Sequence, residues 1–207
     1  IAGAGSGKSR VLTFRIANLL KQKKASPSEI LAVTFTNKAA REMKERVQKI
    51  VGRDAEHLWV STFHSSCGKI LRKEIKALGY RSDFVIYDDV DQLNAIKHCY
   101  KFLEWDPEQL NPKGIQAHIN RAKNQGLLPE VYLQQALTTY DEKVAKLFAV
   151  YQQELKKANA VDFWDLLSLT VQIFKNHPEI LKKYQNQFRY CMVDEYQDTN
   201  HIQYLFI

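Results

Sequence analysis

The chain has 207 residues, of which 45% are hydrophobic and 26% charged, and its net charge of +7 is typical of a globular protein with an anionic partner. No apolar run approaches the roughly 18–20 residues that a transmembrane helix needs and no signal peptide precedes the first motif, so we predict a cytoplasmic protein without a membrane partner. Cys67, Cys99 and Cys191 stand far apart, which argues against a disulfide framework or a zinc site.

The N-terminal part of the chain alternates between helix and strand. Residues 30–36 and 58–62 are β-branched and aromatic runs that predict buried strands, each followed by a helix. We predict that Asn37 caps the helix with the apolar face Ala40, Met43, Val47 and Ile50. The first helix carries an apolar stripe formed by Val11, Phe14, Ile16, Ala17, Leu19 and Leu20. This alternation predicts an α/β fold with a parallel sheet.

The central part of the chain is predominantly helical. After a short strand at 84–88, helical periodicity covers residues 89–105, 112–124, 129–138, 140–159 and 162–176. Strand character returns at 189–198. About 130 residues separate this strand from the previous one of the sheet, far more than the usual 2–6-residue connection. We therefore predict a sheet core at 1–83 and 161–207 with a mainly helical subdomain inserted at 84–160.

The stretch AGAGSGKS at residues 2–9 has the pattern of a phosphate-binding loop. Glycines let backbone N–H groups surround a phosphate, and the N-terminus of the following helix adds its dipole. In this pattern Lys8 reaches the β- and γ-phosphates and the Ser9 hydroxyl ligates Mg²⁺. The strict pattern has Gly where this chain has Ala2, so a Gly-rich turn stays the alternative for the loop taken alone.

The segment YCMVDEYQD ends an apolar strand in two adjacent carboxylates, Asp194 and Glu195. A phosphoryl-transfer ATPase needs one carboxylate for the Mg²⁺ shell and another for the attacking water. A strand end delivers both to the C-terminal edge of a parallel sheet, where the phosphate loop also lies. A solvated acidic turn is the alternative for a single Asp-Glu pair.

Two other strand-to-helix junctions, TFTNKAAREM and STFHSSCGKIL, combine hydroxyls, an aromatic ring and a helix N-terminus. Hydroxyls and amides suit phosphate oxygens, and Phe35 and Phe63 could stack on bases. Packing in the core is the alternative for both rings, and a local hydrogen bond is the alternative for His64.

Together, AGAGSGKSR, AVTFTNKAAREM, STFHSSC and VDEYQDTN resemble motifs I, Ia, Ib and II of the superfamily-one DNA helicases of the UvrD/Rep/PcrA group. The resemblance covers the whole chain, including VDFWDLL where the helical insertion rejoins the core. It implies a RecA-like P-loop ATPase domain whose inserted helical subdomain, residues 84–160, binds DNA, and it implies ATP and Mg²⁺ as cofactors. The implied partners are single-stranded DNA, its junction with duplex DNA, and repair or replication proteins.

The resemblance also implies roles for individual residues. Asp194 and Ser9 would hold Mg²⁺, Glu195 would act as the catalytic base toward water, Lys8 would stabilise the transferred phosphoryl group, and Arg10 would lie against the adenine. The nucleotide contacts would be Ala2, Gly3, Ala4, Gly5, Ser6, Gly7, Lys8, Ser9 and Arg10. The contacts with single-stranded DNA would be Thr34, Phe35, Thr36, Asn37, Thr62, Phe63 and His64. The basic stretch 118–123 would approach the duplex, with a solvated charged face as the alternative for His118, Arg121 and Lys123.

The implied function is an ATP-dependent DNA helicase that translocates 3′ to 5′. The chain would be a fragment of its first motor domain, inactive in isolation, because the family's adenine-reading glutamine and second RecA-like domain are absent from it. One alternative is the motor portion of a RecB/AddA-type helicase–nuclease. Another is a DNA-binding module without turnover of its own. A GTPase is disfavoured because NKAA at residues 37–40 lacks the Asp of the NKxD motif.

Overall fold

A computed structural model describes residues 7–106 and 110–207, without the side chains of Lys8 and Asp54. The predicted nucleotide contacts of Ala2, Gly3, Ala4, Gly5 and Ser6 therefore lie outside the described residues. The chain forms two compact units, and each is described by itself. The first comprises Ile1–Lys69, Phe174–Thr199 and Ile207, and the second comprises Ile70–Ile173 and Asn200–Phe206.

The described residues alternate between helix and strand at the N-terminal end and are mainly helical in the middle. The strands are β1 (Ile30–Thr34), β2 (Trp59–Thr62), β3 (Val85–Tyr87), β4 (Ala160–Asp162) and β5 (Tyr190–Val193). The helices are α1 (Lys8–Lys21), α2 (Asn37–Val51), α3 (Phe63–Glu74), α4 (Asp89–Leu103), α5 (Pro112–Asn124), α6 (Pro129–Gln134), α7 (Thr139–Lys157), α8 (Asp165–Asn176), α9 (Pro178–Gln187) and α10 (His201–Phe206). Within these residues, no helix is long and apolar enough to cross a bilayer.

The first unit is built on a three-stranded parallel sheet with the strand order β2–β1–β5. The central strand β1 pairs Thr34 with Thr62 of β2 and Val33 with Val193 of β5. Every residue of β1 is buried, as is typical of a parallel strand that is covered on both faces. The predicted α/β class with a parallel sheet is confirmed.

Two helices of the first unit show how far helical periodicity predicts burial. In α2, Ala40, Met43 and Val47 are buried as predicted. Its N-cap is Thr36, whose hydroxyl accepts a hydrogen bond from the Ala39 N–H, so the prediction that Asn37 is the cap is wrong by one residue. In α1, Ile16, Ala17 and Leu20 are buried.

The apolar stripe of α1 is buried only in its C-terminal half. Val11 is 65% exposed and Phe14 is 52% exposed. Helical spacing predicts that apolar residues share a side of the helix, but it does not predict what packs against each end of that side. Only the C-terminal half of the stripe belongs to the cluster that α1 shares with β1 and α2.

The second unit has a helical core formed mainly by α4, α5 and α7. Its largest buried side chains include Ile96, Tyr100, Ile115, Phe148 and Tyr151. Capping boxes define the starts of α4 and α7, at Asp88 and Thr138.

A short parallel sheet brings together the two ends of the helical segment α4–α7. Strand β3 precedes α4 and strand β4 follows α7, and they pair Val85 with Ala160 and Tyr87 with Asp162. The segment 160–162 is therefore a strand, and the prediction of a helix from residue 162 is wrong. The helix α8 begins at Asp165 instead.

Two other predicted bounds are too long at their C-terminal ends. The helix predicted at 129–138 ends at Gln134. The strand predicted at 189–198 ends at Val193, and residues Tyr196–Asp198 form a 3-10 turn. The backbone of Glu195, with φ 52°, is left-handed and cannot continue a strand.

Candidate functional site

The start of α1 has the geometry of an anion site. Gly7 precedes the helix with φ 81°, a conformation that favours glycine, although a Cβ at this position would meet no atom within 4 Å. Along the described first turn, α1 carries no acidic residue and its N-cap makes no side-chain hydrogen bond. Its N–H groups and dipole therefore favour a negatively charged group at this end.

Ser9 and Asp194 are 185 positions apart in the sequence and are brought into direct contact. The Ser9 hydroxyl lies 2.8 Å from Oδ2 of Asp194 and 3.1 Å from Oδ1. Asp194 is only 5% exposed, and its backbone N–H donates to the carbonyl oxygen of Val33 in β1. The sheet therefore carries this carboxylate to the first turn of α1.

The oxygen pair of Ser9 and Asp194 fits Mg²⁺ in its donor chemistry. Mg²⁺ prefers hard oxygen ligands and is usually bound through one or two carboxylates together with substrate phosphates. Across residues 7–106 and 110–207, no three His, Cys, Asp or Glu side chains come together as a metal cluster. The pair thus suits a metal that takes its other ligands from a phosphate group and water.

Thr13 is a supporting residue that the sequence analysis missed. It is buried in α1, and its hydroxyl donates to the backbone oxygen of Ser9 at 2.9 Å. The spacing of four residues in a predicted helix was the available signal, because a Thr hydroxyl in a helix can bond the carbonyl four residues before it. This bond occupies the Thr13 hydroxyl and leaves the Ser9 side chain directed to Asp194.

Glu195 directly follows Asp194 and adopts a left-handed backbone conformation with φ 52°. Its side chain accepts a hydrogen bond from the Gln197 amide, and its backbone oxygen accepts from the Asp198 N–H at 2.9 Å. Sparsely populated backbone conformations of non-Gly residues persist where the surroundings fix them, and they cluster at functional sites. The second predicted carboxylate is therefore at the strand end, in a locally constrained turn.

The parallel register places the other two motifs at the same sheet edge. Thr34 at the end of β1 is level with Thr62 at the end of β2, and Val33 is level with Val193, which directly precedes Asp194. Because the C-terminal ends of parallel strands share one edge, all three predicted strand-to-helix junctions emerge there. The structure brings together motifs that are far apart in the chain.

Three predicted nucleic-acid contacts are accessible at this edge. Phe35, Thr36 and Asn37 are exposed, between the end of β1 and the first residue of α2. Phe35 is 38% exposed, and its ring packs edge-on against Phe63 with the centroids 5.6 Å apart. These residues offer a ring face, a side-chain amide and the N-terminus of α2 to a ligand.

Three other predicted contacts are buried. Thr34 and Phe63 are at most 1% exposed and Thr62 is 8% exposed. Thr34 donates to the carbonyl oxygen of Thr36, and the Thr62 hydroxyl donates to Ser65 and accepts from its N–H. Their side chains are not accessible to a DNA strand in this structure. They support the junctions that carry the exposed residues.

His64 lies in the first turn of α3 and is mostly buried. Burial lowers the pKa of His64 from 6.5 to about 4, because the charged imidazolium loses its hydration. The side chain is therefore neutral near pH 7. In this state it cannot act as a cation toward a ligand.

Arg10 lies on the exposed surface one residue after Ser9. Its guanidinium carbon lies 5.6 Å from the ring centroid of Phe14, one helical turn away, so a cation–π contact links the two side chains. Arg10 is thus available for a ligand bound at the start of α1.

The second unit contains a buried ionic cluster around Lys123. The Lys123 ammonium lies 2.5 Å from Oδ2 of Asp162 and 2.8 Å from Oδ1 of Asp165, and all three side chains are at most 2% exposed. The Tyr151 hydroxyl and the Gln92 amide also donate to Asp162. Burial and the charge of Asp162 raise the pKa of Asp165 to about 6, although Lys123 acts in the opposite direction.

The prediction that Lys123 approaches DNA is therefore wrong. Lys123 lies four residues after Ile119 and eight after Ile115, which places it on the apolar side of α5, and this spacing was the overlooked signal. Arg121 is exposed and His118 is partly exposed, with its Nδ1 3.2 Å from the Tyr132 hydroxyl. Only these two residues of the basic stretch, among His118, Arg121 and Lys123, reach the surface.

The chain is similar to known helicases along its whole length. The whole chain, residues 1–207, matches the family described as UvrD/REP helicase N-terminal domain. It is 48% identical over 207 residues to the ATP-dependent DNA helicase PcrA of Bacillus subtilis and 47% identical over 207 residues to that of Staphylococcus aureus. It is 46% identical over 208 residues to that of Leuconostoc citreum. Each comparison covers 100% of this chain, which spans 28% of the length of these relatives.

Proposed function

Because the chain belongs to the UvrD/REP helicase N-terminal domain family, we propose that it forms the nucleotide-hydrolysing part of an ATP-dependent DNA helicase. The observation that carries this proposal is the contact between Ser9 and Asp194, two residues from motifs 185 positions apart. A hydroxyl at the start of a helix and a carboxylate at a parallel strand end are the protein ligands that a P-loop ATPase provides for Mg²⁺.

We assign the ATP site to the start of α1 and the end of β5. Gly5, Gly7 and Lys8 bind the phosphates, Ser9 and Asp194 hold Mg²⁺, and Arg10 lies against the adenine. Bound Mg²⁺ neutralises charge that develops on the transferred phosphoryl group. Glu195 orients the attacking water and accepts its proton, as its position at the strand end beside Asp194 permits. Ala2, Gly3, Ala4 and Ser6 complete the phosphate loop in this proposal.

We assign single-stranded DNA to the sheet edge that presents Phe35, Thr36 and Asn37. The ring of Phe35 offers a stacking face for a base, and the N-terminus of α2 offers donors for a phosphate. Thr34, Thr62 and Phe63 hold this surface from beneath, and His64 contributes neutral hydrogen bonds. The exposed Arg121 and the partly exposed His118 of α5 face the junction with duplex DNA.

The motor is RecA-like in this proposal, with core segments 1–83 and 161–207 and the helical subdomain 84–160 between them. The whole protein moves 3′ to 5′ on single-stranded DNA and unwinds duplex in repair or replication. This direction rests on the family alone. A duplex-unwinding assay with 3′ and with 5′ single-stranded tails tests it, and unwinding from 5′ tails only contradicts it.

The decisive experiment is steady-state ATP hydrolysis by the full-length protein with and without single-stranded DNA. We expect turnover that rises with DNA and is abolished by Lys8→Ala, while nucleotide-free DNA binding is kept, because this change removes phosphate charge stabilisation and no DNA contact. Binding of DNA without any turnover indicates a binding module instead. Turnover together with DNA degradation by the same polypeptide indicates a helicase–nuclease.

The isolated 207-residue chain gives a second readout. We expect weak ATP binding, no unwinding and hydrolysis near background, because arginines from a second motor domain complete such sites and are worth about 10³–10⁵ in rate. Helicase-like hydrolysis by this chain alone contradicts the two-domain site.

A further inference from the structure

The turn after β5 fixes the backbone of Glu195 from both sides. On the strand side, Asp194 donates its N–H to the carbonyl oxygen of Val33 at 2.9 Å. On the other side, Asp198 donates its N–H to the carbonyl oxygen of Glu195, also at 2.9 Å. The Glu195 backbone is left-handed with φ 52°, so these two bonds hold an uncommon conformation in place. The direction in which the Glu195 side chain leaves the backbone is therefore set.

The same turn fixes the backbone that carries Gln197. Residues Tyr196–Asp198 form a 3-10 helix. Thr199, directly after it, donates its N–H and its hydroxyl to the carbonyl oxygen of Tyr196, at 3.1 and 2.7 Å. These residues all belong to the first unit. The backbone of Gln197 is therefore held at a fixed position relative to that of Glu195.

A side-chain hydrogen bond joins Gln197 to Glu195 across this turn. The Gln197 amide donates through Nε2 to Oε2 of Glu195. The same nitrogen lies 3.4 Å from Oδ2 of Asp198, which is a longer and weaker contact. A neutral amide nitrogen carries two hydrogens, so it can donate to both carboxylates at once. Glu195 is the main partner of the amide.

The hydrogen bond restricts a side chain that otherwise has several conformations. A glutamate side chain has three rotatable bonds, and Glu195 is only partly buried. A group that acts on an attacking water must lie within hydrogen-bond reach of it, and small displacements reduce the rate strongly. A donor fixed two residues away in the same turn selects one orientation of the carboxylate.

We propose that Gln197 is a positioning residue for ATP hydrolysis, which holds the carboxylate of Glu195 in the orientation that receives the proton of the attacking water. The inference rests on the proposed function, in which Glu195 is the base. Gln197 touches no reacting atom and acts only through Glu195. Because the bond is present without a bound nucleotide, the base is already oriented when the substrate binds.

Two variants test the donor at position 197, and a third serves as the control. Gln197→Met has nearly the same length and lacks the amide. Gln197→Glu keeps the shape and replaces the donor by a carboxylate that repels Glu195. Gln22→Met is the matched control, because Gln22 is also an exposed amide of the first unit and donates to another side chain, Oδ1 of Asn18, at 2.9 Å.

The experiment measures kcat and the KM for ATP of the full-length protein at saturating single-stranded DNA, together with DNA affinity and melting temperature. We expect Gln197→Met to lower kcat about 2- to 10-fold, the rate equivalent of one hydrogen bond. Gln197→Glu should lower kcat further, because repulsion turns the Glu195 carboxylate away. The KM for ATP and the DNA affinity should change less than about twofold, because the orientation of Glu195 matters only in the chemical step. Gln22→Met should match the wild type.

A double-mutant cycle separates a positioning role from a structural one. In a Glu195→Gln background, Gln197→Met should cause no further loss of the single-turnover rate of hydrolysis, because the base that Gln197 positions is already removed. A residue that only stabilises the turn would lower the rate in both backgrounds. An equal loss in the two backgrounds therefore overturns the inference.

Two other results of the kinetic measurement also overturn the inference. One is a wild-type kcat in Gln197→Met, and the other is a change that appears in the KM for ATP with kcat unchanged. A wild-type kcat in Glu195→Gln, or a wild-type protein without DNA-stimulated hydrolysis, overturns the proposed function instead. The two failures are therefore distinguishable.

Discussion

Asp194 in the first unit and Asp162 in the second occupy similar positions, one directly after a parallel strand and the other at the end of one. Both are buried, but their partners differ. Asp162 receives a buried ammonium, a phenol and an amide from its own unit. Asp194 accepts a hydrogen bond from the Ser9 hydroxyl and lies beside the start of α1.

We propose that this difference separates a structural carboxylate, Asp162, from a functional one, Asp194. A carboxylate neutralised by the protein's own cation has little to offer a ligand, whereas one beside a hydroxyl and a helix N-terminus favours a metal and a phosphate group.

Asp194→Asn should produce the largest change, and it should be a change of rate. The amide keeps an acceptor for Ser9 but loses the negative charge that would hold Mg²⁺ in the proposed site. We expect ATP hydrolysis by the full-length protein to fall about 10³-fold, since metal charge stabilisation is worth several kcal/mol. Steady-state kinetics measure the rate, and the melting temperature should stay within a few degrees. A large loss of stability with little loss of rate reverses the assignment of Asp194 as the functional carboxylate.

Lys123→Met should lower the stability of the protein rather than its rate of ATP hydrolysis. Removing the ammonium leaves Asp162 and Asp165 buried and mutually repelling, and breaking a buried ion pair in this way costs about 3–5 kcal/mol of unfolding free energy. Urea denaturation measures it.

Lys157→Met is the matched control for the ionic cluster. Lys157 also forms an ion pair, 2.7 Å from Glu154, but its side chain is 71% exposed. Loss of an exposed pair costs about 0–1 kcal/mol. Equal destabilisation by the two variants contradicts a structural role of the buried cluster. The triple variant Lys123→Met/Asp162→Asn/Asp165→Asn should recover part of the unfolding free energy that Lys123→Met loses, because it also removes the two buried carboxylates that lack their cation.

Phe35→Ala tests whether the exposed sheet edge of the first unit binds single-stranded DNA. The ring is 38% exposed, so we expect single-stranded DNA binding to weaken by about 1–3 kcal/mol with little change in melting temperature. Phe63→Ala is the buried counterpart at 1% exposure and should instead lower the unfolding free energy by about 3–5 kcal/mol. DNA titration beside thermal denaturation separates the two. An unchanged DNA affinity in Phe35→Ala contradicts a stacking role.

Acidification should affect the two units in opposite directions. The pKa of His64 falls from 6.5 to about 4 on folding. Between these two pH values the unfolded chain is protonated at His64 and the folded chain is not, so the free energy of unfolding decreases as the pH falls. The pKa of Asp165 rises from 3.8 to about 6 on folding. Between these two pH values the folded chain is protonated at Asp165 and the unfolded chain is not, so the contribution of Asp165 to the free energy of unfolding increases as the pH falls.

Hydrogen exchange at pH 7 and pH 5, corrected for intrinsic rates, measures this contrast. Amides of residues 63–69 should lose protection at the lower pH, and amides of α5 should keep it. His64→Gln should reduce the pH dependence of protection in the first unit, and Asp165→Asn should reduce it in the second. Equal loss of protection in both units contradicts the assigned pKa directions.

Local sequence patterns predicted the type of most elements, and they predicted candidate site residues whose roles stay predictions. Local rules placed β1, α2, α5 and β5 within a few residues, because periodicity, helix caps and strand-ending carboxylates act over short stretches. Four motifs were enough to predict the family, since glycine, hydroxyl and carboxylate patterns at strand ends carry the chemistry of phosphoryl transfer.

Tertiary structure alone decided which side chains meet and which are covered. The contact of Ser9 with Asp194 depends on strand order, which no local pattern contains. Phe35 and Phe63 each directly follow a strand, yet the ring of Phe35 is partly exposed and that of Phe63 is buried. Lys123 looked like part of a basic stretch and proved to be the centre of a buried cluster. The reason is physical: a helix or strand fixes the direction of a side chain, whereas burial and partners depend on what packs there from elsewhere in the chain.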